Sequence, residues 1–319
     1  MGKTLTIKNA PIALFAFNRP KHLKETIEAL KFNPLASESE LFVFVDGPRF
    51  ESEKPVATQV RKIVSTITGF KSLVIIESKK NKGLANSIIS GVTELIDKYG
   101  NVIVLEDDLI SNPDFLTYMN LCLETFYERD DIFSISGYSP PGVVPPGYQE
   151  DVYLSYRINS WGWATWKNRW EKVDWNVEDF NDFIKDKRQR KLFDRGGRDS
   201  SIMLLKYKKK IINSWAIRFY YSCYKNKSYC VYPSKSLIQN IGTDGSGTHL
   251  RKTNKYYTEV GMLNLSDINS FKKNAYIQPN KIILRNFFLF FKPSIIRRLI
   301  NFFFLWFNLL KLKRTKSGK

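Results

Sequence analysis

Short apolar runs alternate with stretches of helical periodicity through the first part of the chain. We predict strands for the apolar runs at 11–17, 41–45, 72–76 and 101–105. Each run is short and rich in β-branched or aromatic residues, which is typical of strands buried on both faces. Between them, apolar residues recur at helical spacing over 21–31, 53–67 and 83–99. This alternation predicts an α/β fold with a doubly wound, mostly parallel, Rossmann-like sheet and right-handed crossovers.

The second part of the chain is less regular. Asn112-Pro113-Asp114 combines an N-cap residue with proline at the first helical position, so we expect a helix from there to about 129. A strand is predicted at 132–136, and the four prolines of 139–147 predict a loop. The remaining predictions are strands at 153–159 and 229–232, a helix opened by the aromatic cluster 161–170, and helices at 180–193, 200–212 and 216–224.

The run at 101–105 ends in three consecutive acids, Glu106, Asp107 and Asp108. In open α/β sheets ligands bind at the carboxyl ends of the strands. Adjacent carboxylates there repel one another unless a hard cation or a basic partner neutralises them. Oxygen ligands favour Mn²⁺ or Mg²⁺ over zinc, so a divalent metal site is predicted. The alternative is an acidic strand end that faces solvent or caps the next helix.

Polar segments also follow the other predicted strands. They are Asn18-Arg19, Asp46-Gly47 and Asn81-Lys82-Gly83. Together with Leu105-Glu106-Asp107-Asp108, these segments resemble in order the donor-site segments of the GT-A glycosyltransferases. The closest resemblance is to the inverting N-acetylglucosaminyltransferases of the Golgi type and their bacterial family-two-like relatives, whose metal motif is also Glu-Asp-Asp. It extends over about 11–249 and implies a GT-A fold.

The resemblance implies roles for four residues. Asp108 would hold the metal with Asp107 beside it, and Asp107 would also approach the ribose of the nucleotide. Asp46 would hydrogen-bond the base, although Asp-Gly is also ordinary turn chemistry. Trp163 would line the donor sugar, whereas Trp166 and Trp170, at i,i+4 spacing, are interpreted as core residues.

The residues at the strand ends suggest further donor contacts. Arg19 carries the planar fork that suits a diphosphate, and a solvated surface arginine is its alternative. Asn81 and Gly83 precede a helix and would offer polar groups to the donor, as helix N-termini do for anions. Asn18 belongs to the same predicted donor site.

Inverting transfer needs a base for the acceptor hydroxyl, generally a carboxylate. Asn213 stands where the resemblance leads us to expect an aspartate, and an amide cannot accept that proton. Asp199 and Asp244 are therefore the candidate bases, with loop capping as the alternative for each. His249, in a Gly-rich loop, is a candidate metal or diphosphate ligand when that loop closes.

Composition narrows the setting. A chain of 319 residues has ample apolar content for a core. Its three cysteines, odd in number and without close metal-ligand spacing, favour a reducing compartment. Residues 1–8 lack the apolar core of a signal peptide, so we expect a cytoplasmic protein.

The net charge of +19 is concentrated at the C-terminus, since residues 281–319 contain ten Lys or Arg and no acid. Two intensely apolar runs, 287–291 and 299–310, lie between these charges. Neither is long enough to cross a bilayer, and basic flanks with aromatics suit an amphipathic helix on the inner face of an anionic membrane. The alternative is a terminal helix packed on the catalytic domain. Nucleic-acid binding is not expected, because no recognition motif accompanies the charge.

These predictions combine into one hypothesis. Residues 1–270 would form the catalytic domain, with a donor half to about 137 and an acceptor half from about 138, and 281–319 a membrane-associating tail. The enzyme would move a sugar, N-acetylglucosamine in the first instance, from a UDP-sugar to a surface glycan or lipid-linked acceptor. The alternatives are a metal-dependent sugar nucleotidyltransferase and a noncatalytic sugar- or membrane-binding relative.

Overall fold

The protein is seen in a computed structural model that describes residues 9–245, 252–263, 265 and 267–314, with side chains as far as Leu310. The strands are β1 (Ile12–Ala16), β2 (Glu40–Val45), β3 (Ser72–Glu77), β4 (Asn101–Glu106), β5 (Leu109–Ser111), β6 (Ile132–Ser136), β7 (Val152–Ser155), β8 (Trp163–Trp166), β9 (Tyr229–Pro233) and β10 (Ile238–Asn240). The helices are α1 (Pro20–Lys31), α2 (Lys54–Ser65), α3 (Leu84–Tyr99), α4 (Phe115–Thr125), α5 (Lys167–Trp170), α6 (Phe180–Lys185), α7 (Lys187–Phe193), α8 (Ser200–Lys208), α9 (Trp215–Lys225), α10 (Ile268–Lys272), α11 (Lys281–Phe290) and α12 (Ile295–Arg314).

The strands form two sheets. The larger has the order β3-β2-β1-β4-β8-β6-β9-β7, and β5 pairs with β10 in a small antiparallel sheet. Strands β3, β2, β1 and β4 are mutually parallel, while β8 runs antiparallel to both β4 and β6. The predicted α/β class and doubly wound sheet are therefore confirmed.

Alternation along the central strands divides the interior into two cores. In β1, Ile12, Leu14 and Ala16 face a core closed by α1, α2 and α4. Ala13 and Phe15 face the opposite core, which α3 and the helices of the second half close. Because both faces are buried, these strands appear in the sequence as continuous apolar runs. Their polar residues are thereby confined to the strand ends.

Strand β8 corrects the predicted helix at 161–170. Residues 163–166 form a strand between β4 and β6, and only 167–170 are helical. Trp166 packs in the first core and Trp170 in the second, so the two indoles are not the helical i,i+4 pair that their spacing predicted. Aromatic residues favour a strand when tertiary packing supplies partners on both faces.

Other boundaries also differ from prediction. The expected helix at 180–193 divides at Asp186, whose side chain accepts hydrogen bonds from the backbone N–H groups of Arg188 and Gln189 and so caps a new helix. The strand predicted at 153–159 ends at Ser155. The three-residue strands β5 and β10 were not predicted.

The C-terminal helices differ in how they meet the rest of the chain. In α11, Ile283 and Phe287 are buried in the second core, so this helix is part of the folded domain. In α12, Phe304, Leu305 and Leu309 are partly buried against the same core. Across the part of the chain that the structure describes, each helix is too short or too polar to cross a bilayer.

Candidate functional site

The predicted site lies where the strand order reverses, between the carboxyl ends of β1 and β4. Such a switch point opens a crevice in α/β sheets. Asp107 follows β4 and is buried there. Its carboxylate accepts a hydrogen bond from the Phe17 N–H at 3.1 Å and one from Arg19 Nη2 at 2.6 Å. The ends of both strands are thereby tied together by one acid.

Asp108 is bound on two sides. Its Oδ2 lies 2.9 Å from Arg19 Nη2, so one guanidinium pairs with both aspartates. Its carbonyl accepts from the Ile241 N–H at 2.9 Å, because β5 and β10 pair immediately beside it. The next residue is Gly242, where a Cβ would lie only 2.0 Å from Asp108 Oδ2. The small sheet thus brings the loop after β10 against the acid cluster.

Two of the three acids have raised pKa values. Burial raises the pKa of Glu106, the last residue of β4, and the charges of Asp108 and Asp107 raise it further, to about 8. Burial also raises the pKa of Asp107, although Arg19 opposes that rise. A raised carboxyl pKa at a strand end indicates that additional positive charge would bind favourably.

Asp46 organises the neighbouring loop. Its buried Oδ1 accepts from the N–H groups of Gly47 and Lys82, and its Oδ2 accepts from the Gly83 N–H and from Asn81 Nδ2. These four bonds, of 2.8 to 3.1 Å, occupy the acceptor sites of a carboxylate. The arrangement favours a role in holding 81–83 in place over the predicted contact with a nucleotide base.

The side chains fit a hard divalent ion in donor chemistry. Among the described residues no group of three or more His, Cys, Asp or Glu side chains is arranged to hold a metal. Asp107 and Asp108 nevertheless supply two oxygen donors in a cluster whose raised pKa values favour added positive charge. Mg²⁺ usually binds through one or two carboxylates, with substrate phosphates and water completing its shell. Two aspartates beside the crevice match that pattern, and the third predicted ligand, His249, lies outside the described residues.

The two candidate bases lie in different surroundings. Asp244 follows Gly242 in the loop after β10, is 47% exposed at its side chain, and has its Oδ2 3.2 Å from His22 Nε2. Asp199 precedes α8 and pairs with Arg157 Nη1 at 2.8 Å. Asn213, at the position where an aspartate was expected, is exposed, and its Oδ1 accepts from Arg218 Nη2 at 3.3 Å.

Trp163 does not lie on an open surface. It is 0% exposed in β8 and stacks on Trp215 with ring centroids 4.8 Å apart. The prediction that it lines a donor sugar does not fit this burial. The partly buried indole of this segment is Trp161, which contacts the rings of Tyr138 and Tyr256.

Asn18 is partly buried at the end of β1, within the edge that holds the acids. The sequence interpretation missed three participants: Glu106 as a titrating member of the cluster, Thr26, whose Oγ1 donates to the Asp107 carbonyl at 3.0 Å, and His22. Thr26 and His22 both lie on α1, which starts at this edge. They lie seven and three residues after Arg19, and this helical spacing could have placed them on the same helix face as Arg19.

A cavity of about 420 Å³ lies elsewhere, between α1 and α2. Its lining includes Ile27, Lys62 and Ile63, and none of the predicted site residues belongs to it. It offers no chemistry related to the acid cluster.

No protein-family model matches the sequence. Among solved structures, the chain is similar to the mannosyltransferase PcManGT from Pyrobaculum calidifontis in complex with GDP-Man and Mn²⁺, with 12% identity, a TM-score of 0.41 and coverage of 69% of this chain and 70% of that one. It is similar to S. aureus TarS at 11% identity and a TM-score of 0.38, covering 73% of this chain but only 37% of TarS. The galactosyltransferase LgtC, in complex with donor and acceptor sugar analogs, matches at 11% identity and a TM-score of 0.33, over 67% of this chain and 70% of LgtC. Similarity at this level assigns neither a family nor an activity.

Proposed function

We propose that the protein is a metal-dependent glycosyltransferase that moves a sugar from a nucleoside-diphosphate donor to a glycan or lipid-linked acceptor. The observation that carries this proposal is the convergence of Glu106, Asp107, Asp108 and Arg19 at the switch point between β1 and β4. The motif resemblance described above supports the same chemistry. UDP-N-acetylglucosamine is the first donor to test.

Arg19 and the 81–83 loop are the proposed donor contacts. Arg19 keeps its charge, because Asp107 and Asp108 outweigh the effect of burial and raise the pKa of its guanidinium. Its side chain is 18% exposed at the crevice, and a guanidinium pairs well with phosphate oxygens. Asp46 already occupies the Gly83 N–H and holds the start of α3 in place, so the loop contributes by positioning the N–H groups of the first turn of α3, where the helix dipole favours an anion.

Asp107 and Asp108 would hold Mn²⁺ or Mg²⁺. When bound, such an ion supplies Lewis-acid stabilisation of the charge that develops on a leaving diphosphate. The protein's own part is to keep two carboxylates in place through Phe17, Arg19 and the β5–β10 sheet. Arg19 also limits their repulsion before substrate arrives.

Inverting transfer would use Asp199 or Asp244 to accept the proton of the acceptor hydroxyl. Both are partly exposed carboxylates on loops of the second half. Asp199 pairs with Arg157 and Asp244 with His22. This partner would either orient the base or be released when the base accepts the proton.

Donor turnover distinguishes the proposal from its enzymatic rival. The purified chain would be incubated with UDP- and GDP-sugars and Mn²⁺, and the released products separated. We expect nucleoside diphosphate, because sugar transfer or donor hydrolysis cleaves the bond between sugar and diphosphate. A parallel incubation with a nucleoside triphosphate and a sugar 1-phosphate tests the rival, since a nucleotidyltransferase would join the two and release pyrophosphate.

A noncatalytic relative is the second candidate, and Asn213 favours it. This amide stands at the expected position of the base and is engaged with Arg218. In that case calorimetry would detect nucleotide and Mn²⁺ binding, while no donor would turn over with any acceptor. Failure to bind either ligand would reject both candidates.

A further inference from the structure

The outer face of α12 is a large apolar surface. Along it Leu299, Phe302, Phe303, Trp306 and Leu310 succeed one another at spacings of one, three or four residues, and Phe302, Phe303 and Trp306 are 61%, 61% and 53% exposed. The inner face packs on the second core through Phe304, Leu305 and Leu309. We call this exposed surface the α12 stripe (Leu299, Phe302, Phe303, Trp306 and Leu310). Because the opposite face of the helix is packed on the domain, the stripe is the outer surface of a docked helix. Contiguous exposed apolar surface of this kind marks an interaction site.

The positive charge around the α12 stripe indicates what kind of partner it binds. Residues 281–319 contain ten Lys or Arg and no acid. Arg297 and Arg298 are exposed in the first turns of α12, and the sequence places Lys311, Lys313 and Arg314 just beyond the stripe. Two copies meeting through the stripe would bring these cations together, which is unfavourable. An anionic surface with an apolar interior satisfies both the charges and the aromatic side chains.

We propose that α12 lies in the interface of an anionic membrane, with the α12 stripe inserted among the lipid chains and the flanking cations at the phosphates. Twenty residues of helix span about 30 Å, so α12 would lie along the surface over its full length. Aromatic residues at the boundary and cations beside it are the composition that such helices use. The membrane contact does not depend on the proposed sugar transfer.

The position of α11 decides which part of the molecule faces the bilayer. Phe291, at the end of α11, lies under the guanidinium of Arg157, whose Cζ is 4.4 Å from its ring centroid. Arg157 in turn pairs with Asp199. The side of the domain that carries Asp199 is thus in contact with the end of α11, from which the chain continues into α12.

Vesicle binding of the full chain tests the proposal. We expect co-sedimentation with vesicles of phosphatidylglycerol and phosphatidylcholine, weaker binding at high salt, and little binding to phosphatidylcholine alone. The double variant Phe303→Ser/Trp306→Ser should bind at least about tenfold more weakly, because two large apolar side chains no longer insert. Arg297→Gln/Arg298→Gln should weaken binding by roughly fivefold for each charge.

Phe32→Ser is the matched control. Phe32 is 75% exposed and ends α1, the helix that closes the first core, whereas the α12 stripe is on the helix packed against the second. The variant removes a comparable exposed ring and should bind vesicles like the wild type. Equal binding by the stripe variant and the wild type would overturn the proposal. The proposal would also be overturned if the wild type bound no vesicles and formed a dimer that the stripe variant converts to a monomer.

A labelled cysteine locates the contact. Cys122, Cys223 and Cys230 are buried and free, so a thiol introduced on the surface should label selectively. An environment-sensitive dye at Phe303→Cys should shift to the blue on anionic vesicles and be quenched by brominated lipid chains, while the dye at Phe32→Cys should do neither. Quenching at both positions, or at Phe32→Cys alone, would contradict the proposed orientation.

Discussion

The carboxylates at the edge of the parallel half of the sheet differ from those of the second half of the chain in their burial and in their hydrogen-bond partners. At the ends of β2 and β4, the buried carboxylates of Asp46 and Asp107 accept several hydrogen bonds from within the protein. In the second half, Asp199 and Asp244 are partly exposed, and they pair with Arg157 and His22 respectively. The proposed donor side is therefore organised before any ligand binds, whereas the proposed base is in a region that substrate would complete. Preorganisation of charge is what a developing diphosphate charge requires.

The largest effect should come from the donor side. Asp108→Asn removes a proposed metal ligand and should lower Mn²⁺-dependent donor turnover by about 10³-fold or more, since a metal supplies several kcal/mol of charge stabilisation. Turnover and Mn²⁺ calorimetry together would measure it. Asp130→Asn, at a carboxylate that is 88% exposed, is the control and should behave like the wild type. Full turnover in the Asp108 variant would remove the metal from the proposal.

The second half should respond unequally to matched changes. Either Asp199→Asn or Asp244→Asn should lower kcat by about 10²–10⁴-fold, the usual contribution of a general base, and the other by less than about tenfold. The variant of the true base should also lose the acidic limb of the pH–rate profile, which a structural role would not affect. If both variants retain normal kcat and profile, neither residue is the base and the inverting assignment fails.

The two regions also differ in how much of each could be predicted from the sequence. Strands β1, β2 and β4 were predicted because burial on both faces leaves an uninterrupted apolar run, and Asp107 and Asp108 because they end one. Strand β3 was also predicted from an apolar run, but the expectation that it is buried on both faces is wrong, since it is the largely exposed edge strand. Strand β8 was missed because its tryptophans are spaced like a helix face, and β5 and β10 because three residues carry no period. The hydrogen bonds of Asp46 to 81–83 and the approach of Gly242 to Asp108 join residues distant in sequence, and the raised pKa of Glu106 depends first on burial in the folded chain. No local pattern encodes them.

Asp46→Asn should test the organised donor loop through stability. An amide nitrogen would face N–H donors that now bind a carboxylate, so we expect a loss of about 2–4 kcal/mol in the free energy of unfolding. Chemical denaturation would measure it. Asp97→Asn, which breaks an exposed pair with Lys167, should cost less than about 1 kcal/mol. Equal losses in both variants would show that the Asp46 network is not stabilising.

Gly242→Ala tests the contact between the two halves of the chain. A Cβ there would lie 2.0 Å from Asp108 Oδ2 and 2.7 Å from Arg19 Nη1, so the loop or the ion pair must move. We expect a destabilisation of about 1–3 kcal/mol, typical of overpacking, together with weaker nucleotide binding. Thr243→Ala, one residue along the same loop, should change either quantity much less. Unchanged nucleotide affinity in Gly242→Ala would separate this loop from the donor site.

The smallest effect concerns Asp194, an acid of the second half whose pKa Arg190 lowers only slightly. Burial raises the pKa of Asp194 to about 6, although the Ser201 N–H donates to it at 2.8 Å and lowers it in part. Between about pH 4 and pH 6 the folded chain therefore holds a proton that the unfolded chain has released. The stabilisation this provides is complete below about pH 4 and is lost as the pH rises through 6.

Asp194→Asn keeps an acceptor for the Ser201 N–H but carries no charge, so it should remove this dependence. We expect the variant to match the wild type near pH 4 and to exceed it by about 1–3 kcal/mol near pH 8, as measured by urea denaturation across that range. Parallel stability curves for the two proteins would mean that Asp194 titrates normally. The charge in this half would then be as well compensated as that of the donor edge, and the contrast between the two regions would rest on exposure alone.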